Sequence, residues 1–282
     1  MIYSLVTLYT PDDSVTKNML ALSGQVDKIY LIDNSAKNNC SLFSEIKNAE
    51  YLFCGKNHGL SSAFNKILKE KDFGDNDFII FFDQDSHISE NFISSLKNEY
   101  ENLEKSEFPV GCIGPVYFNT SSGIVEIPKQ KIQLNEHSFS VKSIITSSML
   151  LRFRTLKEIG FWNEEIFLDM ADWDVCWRLI EHKKLCCMTN VVTLHHTLGK
   201  GEKKVGFIRV KEGSPFRVYY QTRDCLRLIT KKYVPFKYKI RFVLMLTVRP
   251  IVHLIVLSNK KERIKYFIKG IHDFNKGIYG SL

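Results

Sequence analysis

Asp77–Ser89 reads DFIIFFDQDSHIS: five apolar residues, Phe78 to Phe82, run straight into two aspartates one residue apart, Asp83 and Asp85. A run this apolar and this rich in β-branched and aromatic types predicts a strand covered on both faces, as in a parallel sheet between layers of helices. The aspartates then stand at its carboxyl end, the edge at which open α/β sheets bind ligands. Two carboxylates so close repel unless something positive lies between them. A hard divalent cation, Mg²⁺ or Mn²⁺, suits oxygen donors of this kind and often shares them with a diphosphate. The plainer alternative is a polar turn leading into a helix capped by Ser86 or Ser89, both carboxylates solvated.

Upstream, the chain alternates in the βαβ manner. YSLVTLY (3–9) predicts a strand, DSVTKNMLALSGQ (13–25) a helix, VDKIYLIDNS (26–35) a strand ending in Asp33, and AEYLFCGKN (49–57) one ending near Asn57. GLSSAFNKILKEK (59–71) is an amphipathic helix ahead of the strand at Phe78. Right-handed crossovers would gather Thr7, Asp33, Asn57, Asp83 and Asp85 at one sheet edge, a candidate nucleotide site. Downstream, from residue 110, shorter mixed strands are expected at 110–118 and 143–152, with a helix beginning near LKEIGFW (156–162). A second helix is expected over 171–183, then an apolar strand, LCCMTNVVTLHHTLG (185–199), holding His195 and His196.

The composition, 44% hydrophobic and 25% charged over 282 residues, is that of a folded globular chain with room for one large α/β domain and appendages. Seven cysteines with no C-x-x-C pair argue against a disulfide framework or zinc knuckle and fit free thiols in a reducing cytoplasm. The N-terminus has no basic stretch ahead of its apolar residues and turns acidic near Asp12, so it reads as a first strand and not a secretion signal. Charge is polarised: residues 1–199 hold 19 Lys/Arg against 26 Asp/Glu, and residues 200–282 hold 20 against 5.

The ordered series LIDNS, NHGLSSAFN, FFDQDS, ITSSML, FLDMADWDVCWRL, HHTLG, FRVYYQTRD resembles the family two glycosyltransferases, and among them the bacterial rhamnosyltransferases of O-antigen and capsule assembly. The resemblance implies an α/β GT-A fold, a Rossmann-like mixed sheet flanked by helices that binds a nucleotide-diphospho-sugar. It implies a transferase domain over 1–230, with a nucleotide half (1–100) and an acceptor half (101–230), ahead of basic amphipathic helices at 231–282. Asp33 matches the aspartate facing the donor pyrimidine, with Thr7 beneath it, and Asn57, Gly59, Ala63 and Asn65 match the segment packed near the nucleoside. Asp83 and Gln84 fall on the donor, Asp85 is the matched metal ligand, and His196, in His-x-Leu-Gly, is the second. The cation would be Mg²⁺ or Mn²⁺, offsetting charge on the departing diphosphate. His195 and His196 cannot both face it, since neighbours on a strand point to opposite sides.

Asp169, Asp172 and Asp174 compete for the role of general base. On a helix Asp172 and Asp174 diverge by about 200°. Asp174 stands four residues before Arg178, an ion-pair spacing, which leaves Asp172 available; the family pattern places the base there too. Trp173 and Trp177 share a helix face and read as core before sugar platform. The family usually has Ser-Gly where this chain has Ser147-Ser148, Glu where it has Asp174, and Asn where it has Asp224. Ser147, Ser148, Asp169, Arg217, Tyr220 and Arg223 are candidate acceptor or phosphate contacts, the arginines having the alternative of a solvated helix face.

The tail shows two apolar runs, 242–248 and 251–258, broken by Arg249 and Pro250. Neither is long enough to span a bilayer; flanked by Lys and Arg, they fit helices lying on an anionic membrane, or packed on the catalytic domain. No nucleic-acid motif is present. The expected activity is inverting, metal-dependent transfer of L-rhamnose from dTDP-L-rhamnose to a hydroxyl of a lipid-linked saccharide, on the inner face of the cytoplasmic membrane. A UDP-hexose donor, or a non-catalytic scaffold of polysaccharide assembly, stands as the alternative.

Overall fold

The computed structural model describes residues 1–119, 123–196, 202–205, 208–211 and 213–282, with backbone alone at 119, 124, 126, 196, 202–205 and 208–211. The chain forms two compact units, Met1–Asn163 with Ala171–Leu198, and Glu164–Met170 with Gly199–Leu282.

The first unit is α/β. Its strands and helices run β1 (Ile2–Leu8), α1 (Asp13–Ser23), β2 (Lys28–Asp33), β3 (Ala49–Phe53), α2 (Leu60–Glu70), β4 (Phe78–Asp83), α3 (Phe92–Lys105) and β5 (Val110–Asn119). There follow β6 (Ile124–Glu126), β7 (Ile132–Gln133), β8 (Ser138–Val141), β9 (Met149–Arg152), α4 (Phe153–Glu158), α5 (Ala171–Glu181) and β10 (Leu185–His196). They make one sheet in the order β3-β2-β1-β4-β9-β5-β10-β8-β7, with β6 beside β5. β3, β2, β1 and β4 are parallel, and β9 enters antiparallel, so the sheet is mixed.

The apolar run does what its composition predicts: no residue from Phe78 to Phe82 is more than 2% exposed. Phe78 meets Tyr100 of α3 edge-on at 5.1 Å, while Phe81, on the other face, meets Phe64 of α2 at 4.6 Å and Trp162 at 5.0 Å. Helix α2 buries Leu60, Ala63, Phe64, Ile67 and Leu68, the stripe a helix needs to lie on a sheet.

Three local expectations are corrected. The helix sought near Leu156–Trp162 spans Phe153–Glu158, because Gly160 and Phe161 turn left-handed, at φ +77° and +63°. The strand sought at 143–152 begins only at Met149, because Ser148 is left-handed too, at φ +69°. Neither Ser86 nor Ser89 caps α3; that helix starts at Phe92 behind a left-handed Asn91.

The second unit contains the antiparallel strands β11 (Glu202–Val205) and β12 (Ile208–Lys211), and helices α6 (Pro215–Thr230), α7 (Phe236–Val256) and α8 (Lys260–Asn275). Segment 164–170 is packed into it: the Phe167 ring stacks on Tyr220 at 4.1 Å, the Phe167 amide donates to Asp224 at 2.9 Å, and Arg227 donates to the Glu165 carbonyl at 2.8 Å. Helices α6 and α8 approach so closely at Gly270 that a Cβ there would lie 2.9 Å from the Tyr219 carbonyl oxygen. The two apolar runs on either side of Arg249-Pro250 are joined in one helix: α7 runs through Pro250 for 21 residues. Proline removes one N–H and leaves the carbonyl four residues back without its helical donor, but its fixed φ is helical, and the turns on either side hold. None of the helices among the described residues is long and apolar enough to cross a membrane.

Candidate active site

Parallel pairing puts the first-half candidates at one edge. Thr7 is the register partner of Asp83, and Leu8 that of Asp33, so the ends of β2, β1 and β4 fall side by side. Asp33 is fully buried and accepts from the Ser35 amide at 2.9 Å, from Asn39 Nδ2 at 2.8 Å and from the Tyr51 hydroxyl. Burial pushes its carboxyl up, but the hydrogen bonds from Ser35, Tyr51 and Asn39 outweigh burial and hold it below the usual carboxylate range. Asp33 is therefore a fixed anion at neutral pH, while burial and that carboxylate push the Tyr51 hydroxyl up.

The loop before α2 is fastened to the same edge. Asn57 Oδ1 accepts from the Gly59 amide at 2.9 Å, and Asn34, following β2, donates to the Gly59 carbonyl at 3.2 Å. Gly59 stands at φ +85°, a conformation glycine adopts without strain, and opens α2. Asn65 is placed elsewhere. It is 2% exposed, donates to the Trp162 carbonyl at 2.8 Å and accepts from the Trp162 amide at 3.0 Å, a clasp that fixes the segment after α4 against α2.

The turn after β4 is clamped from several sides. Gln84 Oε1 accepts from the Tyr9 amide at 2.7 Å and its Nε2 donates to the Tyr9 carbonyl at 3.2 Å, so the amide is turned to the end of β1 and not toward a donor. Asn18 of α1 donates to the Gln84 carbonyl at 3.2 Å, and the Ser86 and Ser147 hydroxyls lie 2.5 Å apart. Between these anchors Asp85 is exposed and makes no hydrogen bond or ion pair among the described residues, while Asp83 is half-buried. A strand bridge between His87 and His195 brings the end of β10 beside this turn. The exposed His195 ring lies 5.4 Å from Phe118. His196 closes β10, and its side chain lies outside the described residues. An unengaged carboxylate on a rigid turn, with Asp83 two residues before it, fits a hard cation that takes oxygen ligands.

Ser147 and Ser148 sit across from the end of β4, where the Ser148 amide donates to the Phe81 carbonyl at 2.7 Å and the Ser148 hydroxyl is buried without a partner among the described residues. Helix α5 is docked to the same segment, since the Ile144 amide donates to Cys176 Sγ at 3.5 Å. Asp172 lies one turn before Cys176, in the first turn of α5, half-buried, with Oδ1 accepting from the Trp173 amide at 2.8 Å. Asp174 is fully buried and takes the structural role its spacing predicts, pairing with Arg178 at 2.8 Å and accepting from Asn163 at 3.1 Å. Trp177 is core at 2% exposed.

Four candidates belong to the second unit. Asp169 pairs with Arg217 at 2.6 Å and accepts from Gln221 at 2.8 Å. Arg223 is not on a solvated helix face: it is fully buried, donating to Asp224 at 2.9 Å, to the Tyr219 hydroxyl at 3.1 Å and to the Gly280 carbonyl at 2.8 Å. Tyr220 is 5% exposed beneath Phe167, with its hydroxyl accepting from the Leu282 amide. Arg223 and Tyr220 thus tie α6 to Phe167 and the C-terminal residues of the unit.

Residues 13–160 match the model of glycosyl transferase family 2. The chain belongs to that family. It is a glycosyltransferase of GT-A fold, and Asp33, the Asn57–Gly59 loop and the Asp83–Asp85 turn lie inside the matched span, with Thr7 ahead of it. The dTDP-rhamnosyl transferase RfbF of Shigella flexneri is 28% identical over 296 residues, covering 99% of this chain and 97% of its own. Among solved structures, TarS of S. aureus superposes with a TM-score of 0.60 at 13% identity, over 98% of this chain and 49% of TarS, so this chain spans about half the length of TarS. GalNAc-T7, solved with UDP, GalNAc and Mn²⁺, superposes with a TM-score of 0.61 at 12% identity, over 98% of this chain and 56% of its own. Both likenesses speak for the fold.

Asn18, Asn39 and Tyr51 escape sequence reasoning because no helix or strand periodicity links each to the residue it holds, Gln84 for Asn18 and Asp33 for Asn39 and Tyr51. Tyr51, alternating inward on a strand beside an aspartate-ended one, is the one that strand pairing could have found.

Proposed function

We propose that the protein transfers L-rhamnose from dTDP-L-rhamnose to a hydroxyl of a saccharide acceptor, with inversion. The observation that carries this reading is the end-to-end similarity to a dTDP-rhamnosyl transferase. The buried, ionised Asp33 is the acceptor for the pyrimidine imide N–H, and Thr7 and the Asn57–Gly59 loop line the nucleoside. Asp85, with Asp83 behind it and His196 at the end of β10, would hold Mg²⁺ or Mn²⁺, which when bound neutralises charge gathering on the leaving diphosphate. Asp172 takes the proton of the acceptor hydroxyl as that oxygen forms its bond to the anomeric carbon and the bond to the diphosphate oxygen breaks, releasing dTDP. Attack from the face opposite the leaving group inverts the configuration, and no glycosyl-enzyme forms. The acceptor is carried on a lipid diphosphate for O-antigen or capsule assembly, and the chain is cytoplasmic, peripheral on the membrane's inner face through its C-terminal region.

The test is thermal shift and hydrolysis of dTDP-rhamnose, UDP-glucose, UDP-galactose and UDP-GlcNAc, with and without Mn²⁺ or Mg²⁺. Metal-dependent stabilisation by dTDP-rhamnose is expected. It should be lost in Asp85→Ala, whose melting temperature without ligand stays unchanged. Asp172→Asn should still bind donor but turn over roughly 10²–10⁴ times more slowly. Stabilisation by a UDP-sugar alone would move the donor assignment. Silence toward every nucleotide sugar would sink the catalytic reading in favour of a scaffold.

A further inference from the structure

Helix α7 is apolar on its outer face as well as its inner one, where Phe242 is fully buried and Met245, Leu246 and Pro250 line a cavity. A surface helix ordinarily turns its aliphatic stripe inward and its charged residues to water. Here Phe236, Ile240, Val243, Leu244, Val248, Ile251 and Ile255 are 48–76% exposed. At 100° per residue these seven fall within an arc of about 140°. The opposite face carries Arg249 and His253 inward: Arg249 Nε donates to His253 Nε2 at 3.1 Å, and both line a cavity of about 20 Å³ with Gln221, Thr222 and Cys225 of α6. On that inner face Arg249 is half-buried and His253 buried, while the apolar stripe, about 30 Å long at 1.5 Å per residue, faces out.

We infer that this stripe is the surface on which the protein docks to an anionic lipid bilayer, lying in the interface with α7 parallel to the membrane plane. The inference gives a face and a lipid class to the membrane placement proposed above. Continuous apolar exposure on this scale marks an interaction site. Its surroundings select lipid. The stripe is flanked by Lys239 and Arg241, with Lys237 at its first turn, and residues 236–282 hold ten Lys/Arg against two Asp/Glu. Helix α8 repeats the pattern with exposed Ile264, Ile268 and Ile271 among exposed Lys261, Lys265 and Lys269. Aliphatic side chains in the acyl boundary with lysines reaching to phosphate headgroups make an interfacial anchor.

The experiment is sedimentation of the full chain with vesicles of phosphatidylglycerol and phosphatidylethanolamine, and with vesicles of phosphatidylcholine alone, beside the Ile251→Glu, Ile255→Glu double variant. The wild type should sediment with anionic vesicles and far less with phosphatidylcholine. The double variant should lose about ten-fold or more in partition while keeping its melting temperature and its hydrolysis of dTDP-rhamnose, since both residues are exposed and far in sequence from the nucleotide edge. Wild-type protein left in the supernatant, or a double variant that sediments equally well, overturns the inference. So does a concentration-dependent dimer that the variant abolishes, which would assign the stripe to a second copy of the chain. Vesicle binding without any donor hydrolysis would leave the docking face standing and remove the reaction instead.

Discussion

Ser148 combines two unfavourable features in one residue: a left-handed backbone at φ +69° and a buried hydroxyl with no partner among the described residues. Glycine, which the family usually carries there, would relieve both. Ser148→Gly should stabilise the fold by about 1 kcal/mol after the added freedom of the unfolded chain is subtracted, measured as a higher urea midpoint. Spacing made one pair legible in the sequence: Arg178 stands four residues after Asp174, and the two form the ion pair that this spacing predicts. Side chains whose partner is backbone were not legible. Asn65 carries the family's pattern, yet its amide faces Trp162, 97 residues away in sequence, and no local periodicity encodes such a contact.

At the scale of the element, the turn after β4 owes its shape to β1 and α1. Gln84→Ala removes both bonds to Tyr9 and should lower stability by about 1–3 kcal/mol. Because the carboxylates remain, it should raise the KM for divalent cation and donor more than it lowers kcat, which steady-state titrations of each would resolve. Helix α7 has its own signature in pH. Burial, then the charges of Arg249 and Arg263, hold His253 down at about 4, against an ordinary 6.5. Between those values the unfolded chain takes a proton that the folded one refuses, so the stability due to His253 is complete above about 6.5 and is lost as pH falls toward 4. Asp224 opposes it: burial raises its carboxyl to about 6 in spite of Arg223, so as pH falls from about 6 toward 3.8 the folded state gains. In His253→Gln the first effect disappears and the Arg249 acceptor survives. Its melting temperature relative to wild type should therefore improve between pH 7 and pH 5, a trend calorimetry at matched ionic strength can follow. The run from Phe78 to Phe82 announced a central strand by composition alone. By contrast, the passage of α7 through Pro250 could not be read, because the packing on either side of a proline decides whether a helix bends or ends.

For the whole molecule, alternation of strand and helix patterns foretold the parallel half of the sheet, β3, β2, β1 and β4, and charge polarity foretold a basic C-terminal region. What composition could not reveal is that the second unit borrows Glu164–Met170 from the middle of the chain. Phe167→Ala, which removes the ring stacked on Tyr220, should lower stability by about 3 kcal/mol or more, visible in chemical denaturation. The borrowing also has a consequence in time. During synthesis, Phe167 leaves the ribosome well ahead of helix α6, which begins at Pro215. At roughly 5–20 residues per second the nascent chain carries that aromatic side chain uncovered for several seconds, a window in which a chaperone can hold it.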